Sequence, residues 1–173
     1  MIEFIITESK IIPGIKIIKP SISKDMRGNI WTSYQRDEID KLLPDKLEFK
    51  HDKFSCSKKN VLRGIHGDQK SWKLITCVSG SIFQVVVDCR KKTSTYEKYD
   101  SFTIDNNNHM SILIPPGLGN AYYALSDNVV YHYKLAYEGK YIDADEQFSY
   151  KWNDPIFKIK WPSDSPILSK RDR

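Results

Sequence analysis

Cysteine and histidine are scarce in this chain of 173 residues, and their scarcity excludes several kinds of protein. The three cysteines are Cys56, Cys77 and Cys89, an odd number without CxxC spacing, which argues against a disulfide framework or a cysteine zinc site. No run approaches the roughly 18 apolar residues of a membrane-spanning helix. The first residues lack the basic and apolar regions of a signal peptide. These absences predict a cytoplasmic protein without a membrane partner.

The chain also lacks the glycine-rich and nucleophile motifs of common enzyme classes. GxGxxG, GxxxxGK[ST], GxSxG and HExxH do not occur in the expected form, so nothing indicates a nucleotide cofactor or serine hydrolysis. The formal net charge of +5 is spread along the chain. Dispersed charge does not predict nucleic-acid binding, whereas a small anionic ligand fits it.

Short segments with the composition and spacing of β-strands fill most of the chain. Residues 81–88 (SIFQVVVD) and 129–136 (VVYHYKLA) are the clearest of them. Residues 35–43 have apolar side chains at helical spacing and predict one short helix. The polar, aromatic tail from Tyr141 should wrap the strands. The sequence therefore predicts a single all-β domain over residues 1–173, a sandwich or a barrel.

The four histidines do not assemble a three-histidine metal site. The segment RGIHGD contains only His66, and the later segment PPGLGN ends in Asn120 where another ligand would stand. No metal is therefore predicted, and acid–base chemistry by side chains becomes the alternative. A lone histidine is more often structural than catalytic. Arg63 and Lys73 favour a catalytic His66, because together they supply a base, a cation for phosphate and a cation for an enolate oxygen.

Two tyrosines are candidates for an acid that works opposite His66. Tyr131 and Tyr133 share one face of a strand because side chains alternate along it. A phenol, with its ordinary pKa near 10, is a protonated donor at neutral pH. Packing in the sheet is the competing interpretation for both.

An ordered series of short motifs carries a family resemblance. They are Asp25-x-Arg27-Gly28, Ser55-x-Ser57, Leu62-Arg63-Gly64-Ile65-His66, Lys73-Leu74, Pro115-Pro116-Gly117, Tyr133-Lys134, Trp152-Asn153-Asp154-Pro155, Trp161-Pro162 and Leu168-Ser169-x-x-Asp172. Over residues 25–172 the chain resembles the dTDP-4-dehydrorhamnose 3,5-epimerase family. The single motifs are weak, but their order is specific.

The resemblance implies a cupin-type jelly-roll barrel with short flanking helices. It also implies a homodimeric isomerase that needs no metal or cofactor and epimerises carbons flanking the 4-ketone of a nucleotide-linked sugar. The family's catalytic residues fall on His66 (the base), Asp172 (its partner), Tyr133 (the acid) and Lys73. Its phosphate-contacting arginines fall on Arg27 and Arg63. Tyr131 remains the alternative to Tyr133.

Some positions depart from the family's usual residues. His51 and Lys53 replace a Gln-x-Asn pair that contacts the thymidine nucleotide just before Ser55, and Asn120 replaces a second histidine. These residues are similar to those of a subgroup acting on GDP-linked 4-keto-heptoses for capsular polysaccharide. His51, Lys53, Ser55 and Asn120 are therefore predicted to bind substrate, with a GDP-linked 4-keto-heptose favoured over a dTDP-linked sugar.

Three alternatives remain at this point: dTDP-4-dehydrorhamnose 3,5-epimerase itself, a 3,4-ketoisomerase on the same barrel, and a catalytically inactive sugar-binding cupin. The sequence does not report whether C3, C5 or both are inverted.

Overall fold

The computed structural model describes residues 3–173, and β-strands dominate it. In chain order the strands are β1 (Phe4–Glu8), β2 (Lys16–Pro20), β3 (Ile22–Asp25), β4 (Gly28–Trp31), β5 (Phe49–Ser57), β6 (Leu62–Gly67), β7 (Trp72–Ser79), β8 (Ser81–Asp88), β9 (Tyr99–Asp105), β10 (Ser111–Ile114), β11 (Leu118–Ala124), β12 (Val129–Ala136) and β13 (Phe148–Ser149). The prediction of an all-β fold is confirmed.

The strands form two main antiparallel sheets and a separate hairpin. The first sheet has the order β1-β2-β10-β7-β12-β5, and the second has the order β13-β6-β11-β8-β9. Among residues 3–173, strands β3 and β4 pair only with each other. Most neighbours in each sheet, such as β2 and β10 or β6 and β11, are distant along the chain, as in a jelly roll. This crossing brings residues from many segments to one end of the sandwich.

The main core lies between the inner faces of the two sheets. Ile75 and Ile112 of the first sheet pack in one cluster with Ile82, Val86 and Ile104 of the second. All five are completely buried. Removing such side chains from water is the dominant favourable contribution to folding, and here it fixes the two sheets face to face.

The second sheet is covered on its outer face as well. Val85 and Val87 point away from the main core but are fully buried against Phe157 and neighbouring aromatic residues of the C-terminal tail. This double burial explains why β8 reads as a nearly continuous apolar run. The tail therefore wraps the sandwich, as the sequence suggested.

Helical structure is shorter than predicted. Helix α1 (Arg36–Ile39) has four residues and continues as a 3₁₀ turn over Asp40–Leu42, and a second 3₁₀ turn spans Lys170–Asp172. The expected short flanking helices are thus one α-helical turn and two 3₁₀ turns. A helix this short is unstable by itself, and it depends on Ile39, which is buried against the outer face of the first sheet. Within residues 3–173 no helix is long and apolar enough to cross a membrane.

Candidate active site

A cavity of about 260 Å³ opens between the two sheets at the end where the C-terminal tail returns. His66 reaches it from β6 of the second sheet, and Lys73 and Tyr133 reach it from β7 and β12 of the first. Asp172, next to the end of the tail, lines the same cavity. Four residues predicted for catalysis from distant parts of the sequence thus surround one space.

His66 is paired with the Asp172 carboxylate. His66 Nε2 lies 2.7 Å from Asp172 Oδ1, although the oxygen is not aligned for a good hydrogen bond with the ring N–H. Gly64 N donates to the same oxygen at 3.2 Å, and Ser169 Oγ donates to Oδ2 at 2.6 Å. The carboxylate is thereby fixed against Nε2, which leaves Nδ1 as the ring nitrogen able to accept a proton.

The charge of Asp172 is maintained although only 3% of the residue is exposed. Burial raises the pKa of Asp172, but the contacts with His66, Ser169 and Gly64 outweigh that effect and hold the pKa below its ordinary value. A fixed carboxylate in contact with an imidazole can stabilise positive charge that develops on the ring during a reaction, which is what a general base requires.

Lys73 contributes a buried positive charge. Its Nζ lies 3.6 Å from Asp68 Oδ2, and both residues are less than 10% exposed. Burial lowers the pKa of Lys73, the Asp68 carboxylate offsets part of this, and Arg171 lowers the pKa further. A cation in such a site interacts strongly with negative charge that develops nearby.

The two candidate tyrosines differ in their hydrogen bonds. Tyr131 is buried, its hydroxyl donates to Gln84 Oε1 at 3.1 Å, and Asn120 Nδ2 donates to that hydroxyl at 3.1 Å. The Tyr133 hydroxyl has no hydrogen-bond partner among residues 3–173. Burial raises the pKa of Tyr133, and Lys53 opposes this only in part. Tyr133 therefore presents a protonated and unengaged donor, while Tyr131 belongs to a closed network.

Asn120 faces the cavity beside His66, its partner in the antiparallel register of β11 and β6. Its Oδ1 accepts a hydrogen bond of 2.7 Å from Gln84 Nε2, so the side chain holds the network in place. Its location suits substrate contact, but its hydrogen bonds also give it a structural role.

The predicted polar residues of β5 divide between the cavity wall and its rim. Ser55 lines the cavity and shares a 2.9 Å hydrogen bond with the Tyr122 hydroxyl. Lys53 Nζ donates to the Tyr141 hydroxyl at 2.8 Å, and the His51 ring lies 4.7 Å from the Tyr141 ring. Because Tyr141 itself lines the cavity, His51 and Lys53 lie one residue behind its wall.

The two predicted arginines lie apart. Arg63 lines the cavity, and its Nε donates to Ser57 Oγ at 3.1 Å. Arg27 lies on the β3–β4 hairpin, pairs with Asp25, and keeps 87% of its side chain exposed. Within this chain the structure does not bring Arg27 to the cavity.

Sequence reasoning missed several residues that line the cavity, among them the charged or polar Asp68, Gln147 and Arg171. Arg171 Nη2 donates to Gln147 Oε1 at 3.1 Å, which holds the guanidinium at the cavity wall. Asp68 and Arg171 are each close to a motif residue in the chain, and that adjacency was the available signal. Among the described residues, no group of three or more His, Cys, Asp and Glu side chains is arranged to hold a metal ion.

Comparison with known proteins identifies the family. A family model for dTDP-4-dehydrorhamnose 3,5-epimerase matches residues 9–173. The chain belongs to the dTDP-4-dehydrorhamnose 3,5-epimerase family. The family member from Salmonella typhimurium is 34% identical over 165 residues, which cover 93% of this chain and 88% of the relative. The family member from Escherichia coli is 31% identical over 165 residues, covering 93% and 88%.

Solved structures agree with this family assignment. A Legionella pneumophila dTDP-6-deoxy-D-glucose-3,5-epimerase in complex with dTDP-4-keto-L-rhamnose matches with a TM-score of 0.89 and 32% identity, over 98% of this chain and 90% of that one. A 3′-monoepimerase from Streptomyces bikiniensis in complex with dTDP-quinovose matches with a TM-score of 0.86 and 26% identity, over 96% and 84%. The predicted family, the cupin-type fold and the isomerase class are confirmed.

Proposed function

We propose that this chain epimerises a nucleoside-diphosphate 4-keto sugar at one or both carbons flanking the ketone. One observation carries the proposal. His66 with its fixed Asp172 partner and the unengaged Tyr133 hydroxyl approach one cavity from different sheets, with the buried Lys73 between the same walls. A base on one side, an acid on the other and a cation for the oxygen are the groups that inversion next to a ketone requires.

The proposed reaction proceeds through an enolate. Neutral His66 takes the proton from the carbon beside the ketone, the electron pair of that C–H bond forms a C=C bond to the carbonyl carbon, and the π pair of the carbonyl moves onto the oxygen. Lys73 stabilises the negative charge on this oxygen, and Asp172 stabilises the imidazolium that forms. Tyr133 then donates a proton to the opposite face of the carbon. The imidazolium and the phenolate exchange a proton through solvent, which restores the starting state.

The pyrophosphate of the substrate needs positive charge near the reacting sugar. Arg63 and Arg171 both line the cavity, and a guanidinium forms paired hydrogen bonds with phosphate oxygens. Arg63 and Arg171 are therefore the residues of the same chain that we assign to the phosphate contacts.

A homodimer is part of the proposal and gives Arg27 a role. The β3–β4 hairpin exposes Met26 completely and Ile30 to 73%, an unusual display of apolar surface beside an arginine. A second copy packed on this hairpin covers both side chains and brings Arg27 toward the partner's cavity. Light scattering checks the dimer. A monomer with full activity overturns this part.

The names of the relatives support a dTDP-linked 4-keto-6-deoxyhexose as the first substrate to test. A GDP-linked 4-keto-heptose for capsular polysaccharide is the second candidate. It is favoured by His51 and Lys53, which stand with Tyr141 at the cavity rim where the family's usual Gln-x-Asn pair is absent. A cytoplasmic location suits either soluble nucleotide sugar and remains a prediction.

Incubation with dTDP- and GDP-linked 4-keto sugars in D₂O tests the function. Mass spectrometry counts the deuterium atoms and NMR locates them at C3, C5 or both. The His66→Asn variant should lose about 10²–10⁴ in exchange rate. His132→Asn is the matched control, because His132 pairs with Asp52 outside the cavity. Wild-type exchange in His66→Asn, or no deuterium uptake from any 4-keto sugar, overturns the proposal.

A further inference from the structure

One buried carboxylate in the cavity has no task in the mechanism above. Asp68 follows β6 and is 5% exposed. Its Oδ2 has no hydrogen-bond partner among the residues that the structure describes, and the nearest cation is Lys73 Nζ at 3.6 Å. Burying a carboxylate with an unpaired oxygen costs free energy of folding, so we expect Asp68 to have a role beside Lys73.

The backbone holds the Asp68 carboxylate rigidly. Lys70 N donates to Oδ1 at 2.9 Å and Ser71 N donates to it at 2.6 Å. The main chain of Asp68 is fixed as well, since Gly117 N donates to its carbonyl oxygen at 2.8 Å. Two bonds therefore hold Oδ1 and a third holds the main chain, and Oδ2 is the oxygen nearest to Lys73 Nζ.

The ion pair is looser than a hydrogen bond. A separation of 3.6 Å is too long for an N–H···O bond, so Lys73 keeps its N–H groups for another acceptor. That acceptor has to lie in the cavity, which Lys73 lines. The Asp68 carboxylate therefore attracts the Lys73 ammonium group without accepting a hydrogen bond from it. The N–H groups of Lys73 remain available to an acceptor in the cavity.

We propose that Asp68 is a positioning residue that keeps Lys73 protonated and directed at the ketone oxygen while the enolate forms and decays. This inference rests on the proposed function, because it assigns Asp68 a role through Lys73. Two carboxylates then support the reaction: Asp68 acts on Lys73, and Asp172 acts on His66.

The charges around Lys73 make such a partner necessary. Burial and the positive charge of Arg171 both lower the pKa of Lys73, and Asp68 is the group that opposes them. Arg63 lines the cavity too, and His66 becomes a further cation there once it has taken a proton, which Asp172 balances directly. Without Asp68, four cations would share the cavity with Asp172 as the one carboxylate among the described residues that line it.

Asp68→Asn separates positioning from folding. The amide oxygen can still accept from Lys70 N and Ser71 N, so the turn is preserved, but the negative charge is gone. We expect kcat to fall about tenfold to a hundredfold, less than for Lys73→Met. The alkaline limb of the pH–kcat profile should move to lower pH, because a Lys73 that has lost its counter-charge deprotonates more easily. KM should change little.

The controls separate this inference from the proposed function. Asp100→Asn removes a carboxylate of β9 that accepts a hydrogen bond from Ser9 outside the cavity, and it should leave the pH profile unchanged. In a Lys73→Met background, Asp68→Asn should cost no further activity. If Lys73→Met has wild-type kcat, the proposed function loses its enolate stabiliser. If Lys73→Met is impaired while Asp68→Asn keeps the wild-type kcat and pH profile, Asp68 is only a turn residue and this inference is wrong.

Discussion

Replacing Asp172 with asparagine tests how much of catalysis depends on one negative charge. The variant keeps an oxygen at the Oδ1 position, where Gly64 N and His66 Nε2 require an acceptor. Its NH₂ group then faces Ser169 Oγ, and that hydroxyl can turn to accept a hydrogen bond instead of donating one. Shape and tautomer are preserved, and the substitution removes the charge alone.

The magnitude follows from the kind of interaction that is lost. A hydrogen bond to a charged group contributes about 1.5–3 kcal/mol, against about 1 kcal/mol for a neutral one. The difference is largest when His66 becomes an imidazolium, so it lowers the transition state more than the ground state. The difference of about 0.5–2 kcal/mol corresponds to a loss in kcat/KM of about 2- to 30-fold for Asp172→Asn. Asp172→Ala also removes the orienting contact and should lose about 10²–10⁴.

Deuterium exchange into the 4-keto sugar measures proton abstraction directly, and thermal unfolding of each variant reports stability separately. Asp154→Asn is the control from the same tail, since the Asp154 side chain accepts a hydrogen bond from the Ile156 backbone and does not line the cavity. Equal losses for Asp172→Asn and Asp172→Ala would show that the charge is the whole contribution. Exchange at the wild-type rate in a folded Asp172→Ala would refute the role of the pair.

Four more outcomes follow from the geometry. Tyr133→Phe should impair inversion more than exchange if His66 alone removes the proton; product NMR separates the two. Tyr131→Phe should instead cost about 1–3 kcal/mol of unfolding free energy in chemical denaturation, because it breaks the buried network. Gly64→Ala should cost at least about 2 kcal/mol, since φ is +122° and an added Cβ lies 2.4 Å from the Ala121 Cβ. The stability difference between wild type and Asp172→Asn should be present near pH 7 and disappear as the pH falls through the lowered pKa of Asp172, in melting curves at several pH values.

The sequence predicted the strands well where periodicity and burial agree. Residues 81–88 and 129–136 were predicted as strands and are strands with those bounds. The helix over residues 35–43 was predicted too long, because apolar spacing shows which side chains are buried but not where a backbone tightens into a 3₁₀ turn. Strand β6, which carries His66, has Gly64 at its centre and too few β-branched residues to stand out, so its full extent was missed.

The candidate site was harder to predict because it depends on contacts between distant segments. Alternation along β12 puts Tyr131 and Tyr133 on one face and cannot separate them; only burial and the network around Asn120 distinguish the two. Nothing in local composition brings Asp172 to His66, 106 positions earlier; the family resemblance supplied that pair, and the return of the tail onto β6 is its physical basis. The family resemblance also predicted Arg27 as a phosphate contact, but the structure places this residue away from the cavity of its own chain.

The two ion pairs of the cavity differ in a way that matches the tasks proposed for them. His66 has to change its charge by one unit in each turnover, and its carboxylate lies in contact at 2.7 Å, where it can stabilise the charged ring. Lys73 has to keep its charge and still offer its N–H groups, and its carboxylate lies at 3.6 Å, close enough to favour the ammonium but too far to occupy it. Coulomb attraction falls slowly with distance while hydrogen bonding falls steeply, so less than one ångström separates a partner that engages a donor from one that leaves it free. Formation of the enolate requires both at the same moment. The positive charge that develops on His66 has to be stabilised, and the N–H groups of Lys73 have to be free to bind the enolate oxygen.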